Sequence, residues 1–230
     1  EELMSMMVDA GFTTVFVGIE TPDDDGLAEC SKFQNRGRDL VESVRRMQRA
    51  GMQVQGGFIV GFDSDTPSIF EQQIEFIQKS GIVSAMVGLL QALPGTQLYA
   101  RLKNEGRLTS EGSGDNVDGS TNIMPKMDID VLRQGYKNIL DQIYSPKLYY
   151  ERIITFLHEY KPSKLRGHLD PQYLLALWRS IYQLGIKGAE RVPYWRLWLW
   201  TLSHKPRLFP QAIELAIYGY HFRRVCELNG

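Results

Sequence analysis

Apolar residues gather into three short runs within the first hundred positions. Each run follows a helix-like stretch that ends in a small residue and a glycine. The segments are MMVDAGFTTVFVGIET, RMQRAGMQVQGGFIVGFDSDT and FIQKSGIVSAMVGLLQALPGT, with Gly11, Gly51 and Gly81 at the junctions. Glycine there suits the left-handed position that ends a helix. The runs predict strands near residues 13–20, 53–62 and 83–91. They are apolar on both faces, as expected of parallel strands covered on both sides. Between them lie amphipathic stretches, with Leu40, Val44 and Met47 on one face, then Ile69, Phe70, Ile74 and Ile77 on another. The unit recurs every 30 to 40 residues. That is the pattern of consecutive αβ units with right-handed crossovers in a parallel sheet.

After residue 105 the pattern changes. Residues 106–127 are rich in Gly, Ser, Asn and Asp and read as a loop or linker. From 128 to 230 the period is helical. Asp128 is an expected N-cap, and Val131, Leu132, Ile139 and Ile143 are expected inward positions. Ser145 with Pro146, and Asp170 with Pro171, repeat one start signal, and Gly185 is expected to close the helix that Asp170 opens. The predicted class is thus α/β: a partial β/α barrel with parallel strands over 1–105, a linker over 106–127, and a helical extension over 128–230.

Composition adds one contrast. The chain of 230 residues is 43% hydrophobic and 23% charged, ample for a buried core. Residues 1–160 hold 15 Lys and Arg against 23 Asp and Glu, whereas 161–230 hold 11 against 4. An acidic first part and a basic second part have different surroundings or attract each other. Cys30 and Cys226 fit no metal-ligand spacing and read as free thiols of a reducing, cytoplasmic compartment. The longest aromatic-rich apolar stretch, YWRLWLWTL, is too short to cross a bilayer. The chain opens inside a helix-like segment without Met, as expected of a piece of a longer protein.

Chemistry concentrates at strand ends. In parallel βα architectures ligands bind beyond the carboxyl ends of the strands, where loop side chains converge on a rigid support. Glu20, the loop GFDSDT from Gly61, and Gln91 all fall on that rim. Glu20 either faces a ligand or is an ordinary solvated acid. Gly56, Gly57 and Gly61 flank Ile59, where missing side chains let a flat ligand or another chain segment approach. Tight packing or a bulge explains them equally. Asp23, Asp24 and Asp25 read as a solvated turn at a helix start rather than a cation site. The four histidines share no metal spacing. RVPYWRLWLWTLSHKPRLF mixes basic and aromatic residues. It suits a helix with Trp and Leu in the core and Arg at the rim, or docking on a membrane surface, an RNA or the acidic first part.

Three motifs in order carry a resemblance: Gly18-Ile19-Glu20; Gly57, Ile59 and Gly61 followed by Asp65-Thr66; and Pro94-Gly-Thr-x-Leu-Tyr. Together they resemble the last three strands of the radical S-adenosylmethionine enzyme barrel. The tail resembles the helical extension of the cobalamin-binding subgroup. The resemblance implies that Gly18 and Glu20 meet the ribose or methionine part of S-adenosylmethionine. It places Gly57, Ile59 and Gly61 against adenine, and the backbone near Gln91 at the adenine edge. It implies cleavage of S-adenosylmethionine to a 5′-deoxyadenosyl radical, serving C-methylation or ring formation. A 4Fe–4S cluster and cobalamin would be held by upstream parts of the same protein, because the CxxxCxxC loop is absent from this chain and Cys30 and Cys226 cannot replace it. Alone, the chain would be inactive. Expected partners are a small, apolar substrate, the upstream parts, an electron donor and peripheral membrane contact, with no nucleic acid. The rival readings are a non-catalytic binding module whose helical tail recruits a partner, and a radical-free barrel enzyme with a phosphate-bearing substrate. The second predicts a phosphate-cradling glycine loop, and none is convincing.

Overall fold

A computed structural model describes residues 2–110, 119–162 and 171–229. Three strands, β1 (Thr14–Glu20), β2 (Gln53–Val60) and β3 (Ser84–Leu89), form a parallel sheet with β2 in the middle. The helices are α1 (Glu2–Asp9), α2 (Asp24–Glu29), α3 (Leu40–Ala50), α4 (Ser68–Ser80), α5 (Gln97–Asn104), α6 (Ile129–Ile143), α7 (Pro146–Glu159), α8 (Pro171–Ser180), α9 (Arg191–His204) and α10 (Phe209–Asn229). The α/β class and the parallel strands agree with the sequence reading. Gly51 and Gly81 end α3 and α4 in left-handed conformation, with φ of 107° and 71°. Asp23, Asp39, Thr96, Asp128 and Ser145 each accept a backbone N–H at a helix start. Asp23 thereby caps α2, with Asp24 and Asp25 in its first turn, the solvated-turn reading of the three aspartates.

One expectation meets a difference. Among the described residues the sheet is covered on one face, not two. Val54, Phe58 and Val60 of β2 and Ala85, Val87 and Leu89 of β3 point into helices α3, α4, α6 and α7. The opposite face carries Phe16 and Met86, both exposed, on either side of β2, where Phe16 pairs with Gln55 and Met86 with Gly57. The apolar runs were long enough for two buried faces, but Gln55 and Gly57 break the second one.

The helical part packs on the covered face. Fully buried Arg152 of α7 donates to Gln78 Oε1 of α4 at 2.5 Å and to the Val83 carbonyl at 3.3 Å, under the Tyr149 ring. Burial pushes its guanidinium pKa down. The ring of Phe70 occupies the space where Gly135 lacks a side chain, so α4 and α6 approach closely. One apolar cluster runs from Ile19 through Ile153 to Ala216. The basic second part reaches the first at carbonyls: Lys205 donates to Leu157 and His158, and Arg223 to Tyr144. Two helical expectations also need correction. Val131 is exposed, because α6 turns its neighbour Leu132 inward. Gly185 does not close a helix. It lies buried within a π-helical stretch, Ile181–Lys187, where Tyr194 and Trp195 press against its missing side chain. Asp170 lies outside the described residues.

Candidate functional site at the strand ends

β1 ends under tension. The pairing with β2 slips between Gly18 and Glu20, so Ile19 bulges. Glu20 then takes φ of 67°, one of two non-glycine residues with positive φ among those described. The Thr21 amide donates to the Ile19 carbonyl at 3.0 Å, closing a γ-turn around Glu20. Such a conformation costs of order 1–3 kcal/mol and tends to mark sites where a side chain must be aimed. Here the turn swings the Glu20 carboxylate back over Gly18, where a Cβ would lie 2.5 Å from Glu20 Oε1. Gly18 must therefore be glycine for this placement. Lys32 completes the arrangement: its ammonium is 3.1 Å from Glu20 Oε1 and donates to the Gly18 carbonyl at 3.3 Å.

The loop after β2 is held by its own acid. Asp65 Oδ2 accepts the amides of Gly61 at 2.7 Å and Phe62 at 3.0 Å. Gly61 has φ of 106°, which that grip requires. Asp65 Oδ1 is buried without a partner, and burial, with Asp23 and Glu29 nearby, pushes the carboxyl pKa up to about 6. Asp63 pairs bidentately with Arg107 at 2.6 and 3.0 Å, and this pairing holds its pKa below the usual carboxylate range. Arg101 bridges Asp63 to Glu29, both at 3.0 Å.

Gln91 sits beyond β3, and its side chain donates to the carbonyl and hydroxyl of Ser120. Next to it Asn122 accepts the Ala92 amide at 2.9 Å and donates to the Ala92 carbonyl at 2.8 Å, while Thr121 donates to the Leu90 carbonyl. Residues 107–109 pair with 122–124, so the described ends of the Gly- and Ser-rich stretch strap across the end of β3, and residues 111–118 lie outside the described residues.

The sequence-predicted residues thus gather on one rim: Glu20, Gly61 and Gln91 lie at the same ends of adjacent strands. The glycines have distinct local reasons. A Cβ on Gly56 would strike Phe58 and Ile82 on the covered face, and one on Gly57 would strike the Phe16 ring on the open face. Ile59 is half-buried against the small cluster of Phe62, Leu90 and Leu102. Sequence reasoning missed Lys32, whose pairing with Glu20 spans twelve positions and has no periodic signal. It also missed Asn122, hidden in a stretch whose composition reads as loop.

As for cofactors, the residues present suit the polar and apolar parts of S-adenosylmethionine. An anion beside a cation matches an ammonium and carboxylate, and the open face around Phe16 and Ile59 is apolar. They do not suit an iron–sulfur cluster. Burial pushes the Cys30 thiol pKa up, away from the thiolate a cluster needs, and Cys226 packs against the helical core. Among the described residues no three His, Cys, Asp or Glu gather as a metal site, and no helix is long and apolar enough to cross a membrane.

Comparison with known proteins bears on the family. Residues 96–229 match a family described as a domain of unknown function, DUF4070. Over 99% of its length the chain is 33% identical to an uncharacterized methyltransferase of Synechocystis sp., covering 43% of that protein. It is 32% identical over 85% of its length to hopanoid C-2 methylase of Rhodopseudomonas palustris, covering 38% of it. It is 29% identical over 43% of its length to bacteriochlorophyllide d C-12(1)-methyltransferase of Chlorobaculum tepidum, covering 22% of it. The chain spans less than half the length of these relatives. The matches uphold the resemblance to the C-terminal part of a cobalamin-binding radical S-adenosylmethionine methylase. With more than half of its residues inside the match, the chain belongs to the DUF4070 family.

Proposed function

We propose that this chain is the S-adenosylmethionine-facing C-terminal part of a cobalamin-dependent radical methyltransferase acting on a small apolar molecule. In this reading residues 1–105 are the closing strands of a β/α barrel and 128–230 its helical extension. One observation carries the reading: a strained strand-end carboxylate, Glu20, aimed beside Lys32 on the rim shared by Gly61 and Gln91. A glutamate at φ of 67° carries strain of the kind stored where a side chain must be aimed. The open sheet face then looks into the barrel, which explains why Phe16 and Met86 lack cover here.

Bound S-adenosylmethionine supplies the one-carbon chemistry, and the residues of this chain bind and orient it. Glu20 accepts hydrogen bonds from hydroxyl or ammonium donors, which are stronger for an ionised acceptor. Lys32 neutralises a carboxylate. Gly18, Gly57, Ile59 and Gly61 lie along the surface that a flat group would cover, and the backbone near Gln91 would meet its edge. Asp65 keeps the Gly61 turn fixed, so that surface is already formed before ligand arrives. The cluster and cobalamin would be held outside this chain. The names of the relatives favour methyl transfer over ring formation.

The test is titration of the whole protein, reconstituted with its cluster, with S-adenosylmethionine. Each hydrogen bond to an ionised carboxylate is worth roughly 1.5–3 kcal/mol. Glu20→Ala should therefore weaken binding about tenfold or more, and Glu20→Gln less. Unchanged affinity in both variants would return Glu20 to a structural role.

A further inference from the structure

Helix α9 is apolar on two sides. Tyr194, Leu197 and Thr201 face the core, as a packed helix requires. The outward side should then be polar, yet it presents Val192, Trp195, Leu199 and Leu202 at spacings of three and four residues. Val192 and Leu199 are each 72% exposed. A shallow groove of about 660 Å³ runs along this stripe, open to solvent and bordered by Arg191 and Arg196. On the adjoining elements Trp178, Tyr182 and Ile186 are exposed as well. Contiguous apolar surface of this kind marks a contact site.

Charge and polar satisfaction identify what fits it. From 173 to 207 the single carboxylate is Glu190, which is buried and paired with Arg223 at 2.7 Å. Every exposed charge in that span is therefore cationic: Arg179, Lys187, Arg191, Arg196 and Arg207. The guanidinium groups of Arg191 and Arg196 make no hydrogen bond or ion pair among the described residues. Two neutral polar groups of the groove are already served. Trp195 donates its indole N–H to the Gly185 carbonyl at 3.0 Å, and Ser203 donates to the Leu199 carbonyl at 2.7 Å. The stripe can enter a medium without hydrogen-bonding partners at little cost, while the arginines keep contact with anions at its border. Those are the demands of the boundary between acyl chains and anionic headgroups.

We propose that the outward face of α9 docks on an anionic phospholipid surface, with Val192, Trp195 and Leu199 entering the acyl boundary and Arg191 and Arg196 meeting the headgroup phosphates. The docking is peripheral and requires no spanning helix. It rests on α9 alone and not on the proposed methyl transfer, so failure of S-adenosylmethionine binding leaves it standing.

The test is flotation of the 230-residue chain with vesicles of equimolar phosphatidylcholine and phosphatidylglycerol, and with phosphatidylcholine alone. The chain should float with the anionic vesicles, less with the neutral ones, and less still as salt rises. Leu199→Glu and the pair Arg191→Glu with Arg196→Glu should each lower the partition coefficient about tenfold or more, with unchanged circular dichroism because all three positions are exposed. No flotation with either vesicle overturns the proposal. So does binding by Leu199→Glu equal to that of the unmodified chain. A dimer in light scattering that Leu199→Glu dissolves, without flotation, assigns the face to a second copy instead and equally overturns it.

Discussion

Lys32 holds its ammonium between the Glu20 carboxylate, 3.1 Å away, and the Gly18 carbonyl, 3.3 Å away. The contact fixes the end of β1 in a conformation that glutamate does not favour. Strain and pairing can be separated by substitution. Glu20→Ala loses the ion pair and keeps the positive φ, whereas Glu20→Gly loses the pair and relieves the backbone. The glycine variant should be the more stable of the two by about 1 kcal/mol in urea unfolding. Equal stabilities would mean the turn around Glu20 carries no strain.

Asp65 gives the fold a pH dependence of unusual sign. Its folded pKa is raised to about 6, so the folded chain holds this proton more tightly than the unfolded one. The stability it contributes is full below about pH 4 and is lost as pH rises through about 6, a change of about 3 kcal/mol. Asp65→Asn has no proton to lose there. The urea midpoint of the native chain should fall relative to Asp65→Asn between pH 4 and 6, and parallel curves would refute the shift. Asp65→Ala should be less stable than both at every pH, since it leaves the Gly61 and Phe62 amides without an acceptor.

Arg152 is buried with no carboxylate beside it among the described residues. Its long stem and the hydrogen bond to Gln78 tie α7 to α4. Arg152→Ala should cost about 3–5 kcal/mol, from the cavity and the orphaned partners. Arg152→Met keeps most of the volume without a buried charge and should recover more than half of that loss. Denaturant titration followed by circular dichroism decides it, and equal losses would show that the charge, not the packing, matters.

Gly135 faces the Phe70 ring where a side chain would otherwise stand. An alanine there gains about 1 kcal/mol of helix propensity. The clash costs more, about 1–3 kcal/mol. Gly135→Ala should therefore be net destabilising, and Phe70→Leu in the same chain should restore part of the loss. Additive effects of the two substitutions in a double-mutant cycle would show that α4 and α6 do not meet there.

Much of the fold was written in periodicity. The three strands begin and end within a few residues of the expected places because glycine caps and β-branched runs act locally. The rim was legible because strand direction puts Glu20, Gly61 and Gln91 at the same ends. Cover was not legible: Phe16 and Met86 look like core residues in sequence, and only the position of the helices shows that nothing described lies over them. Lys32 and Asn122 escaped for a related reason, since each works through a contact set by tertiary approach rather than by spacing. Gly185 was misread because a glycine at a helix end and one inside a π-turn carry the same letter, and only the Tyr194 and Trp195 rings tell them apart.

The outer border of β1 leads to a practical expectation. Among the described residues β1 has one neighbouring strand, β2, so its other row of amides and carbonyls has no ladder, and exposed Phe16 stands beside it. A strand of this kind is a template for a like strand from another molecule. Purified at high concentration, the chain should lose monomer through intermolecular pairing before it loses helix, so dilution rather than cooling is what would preserve it.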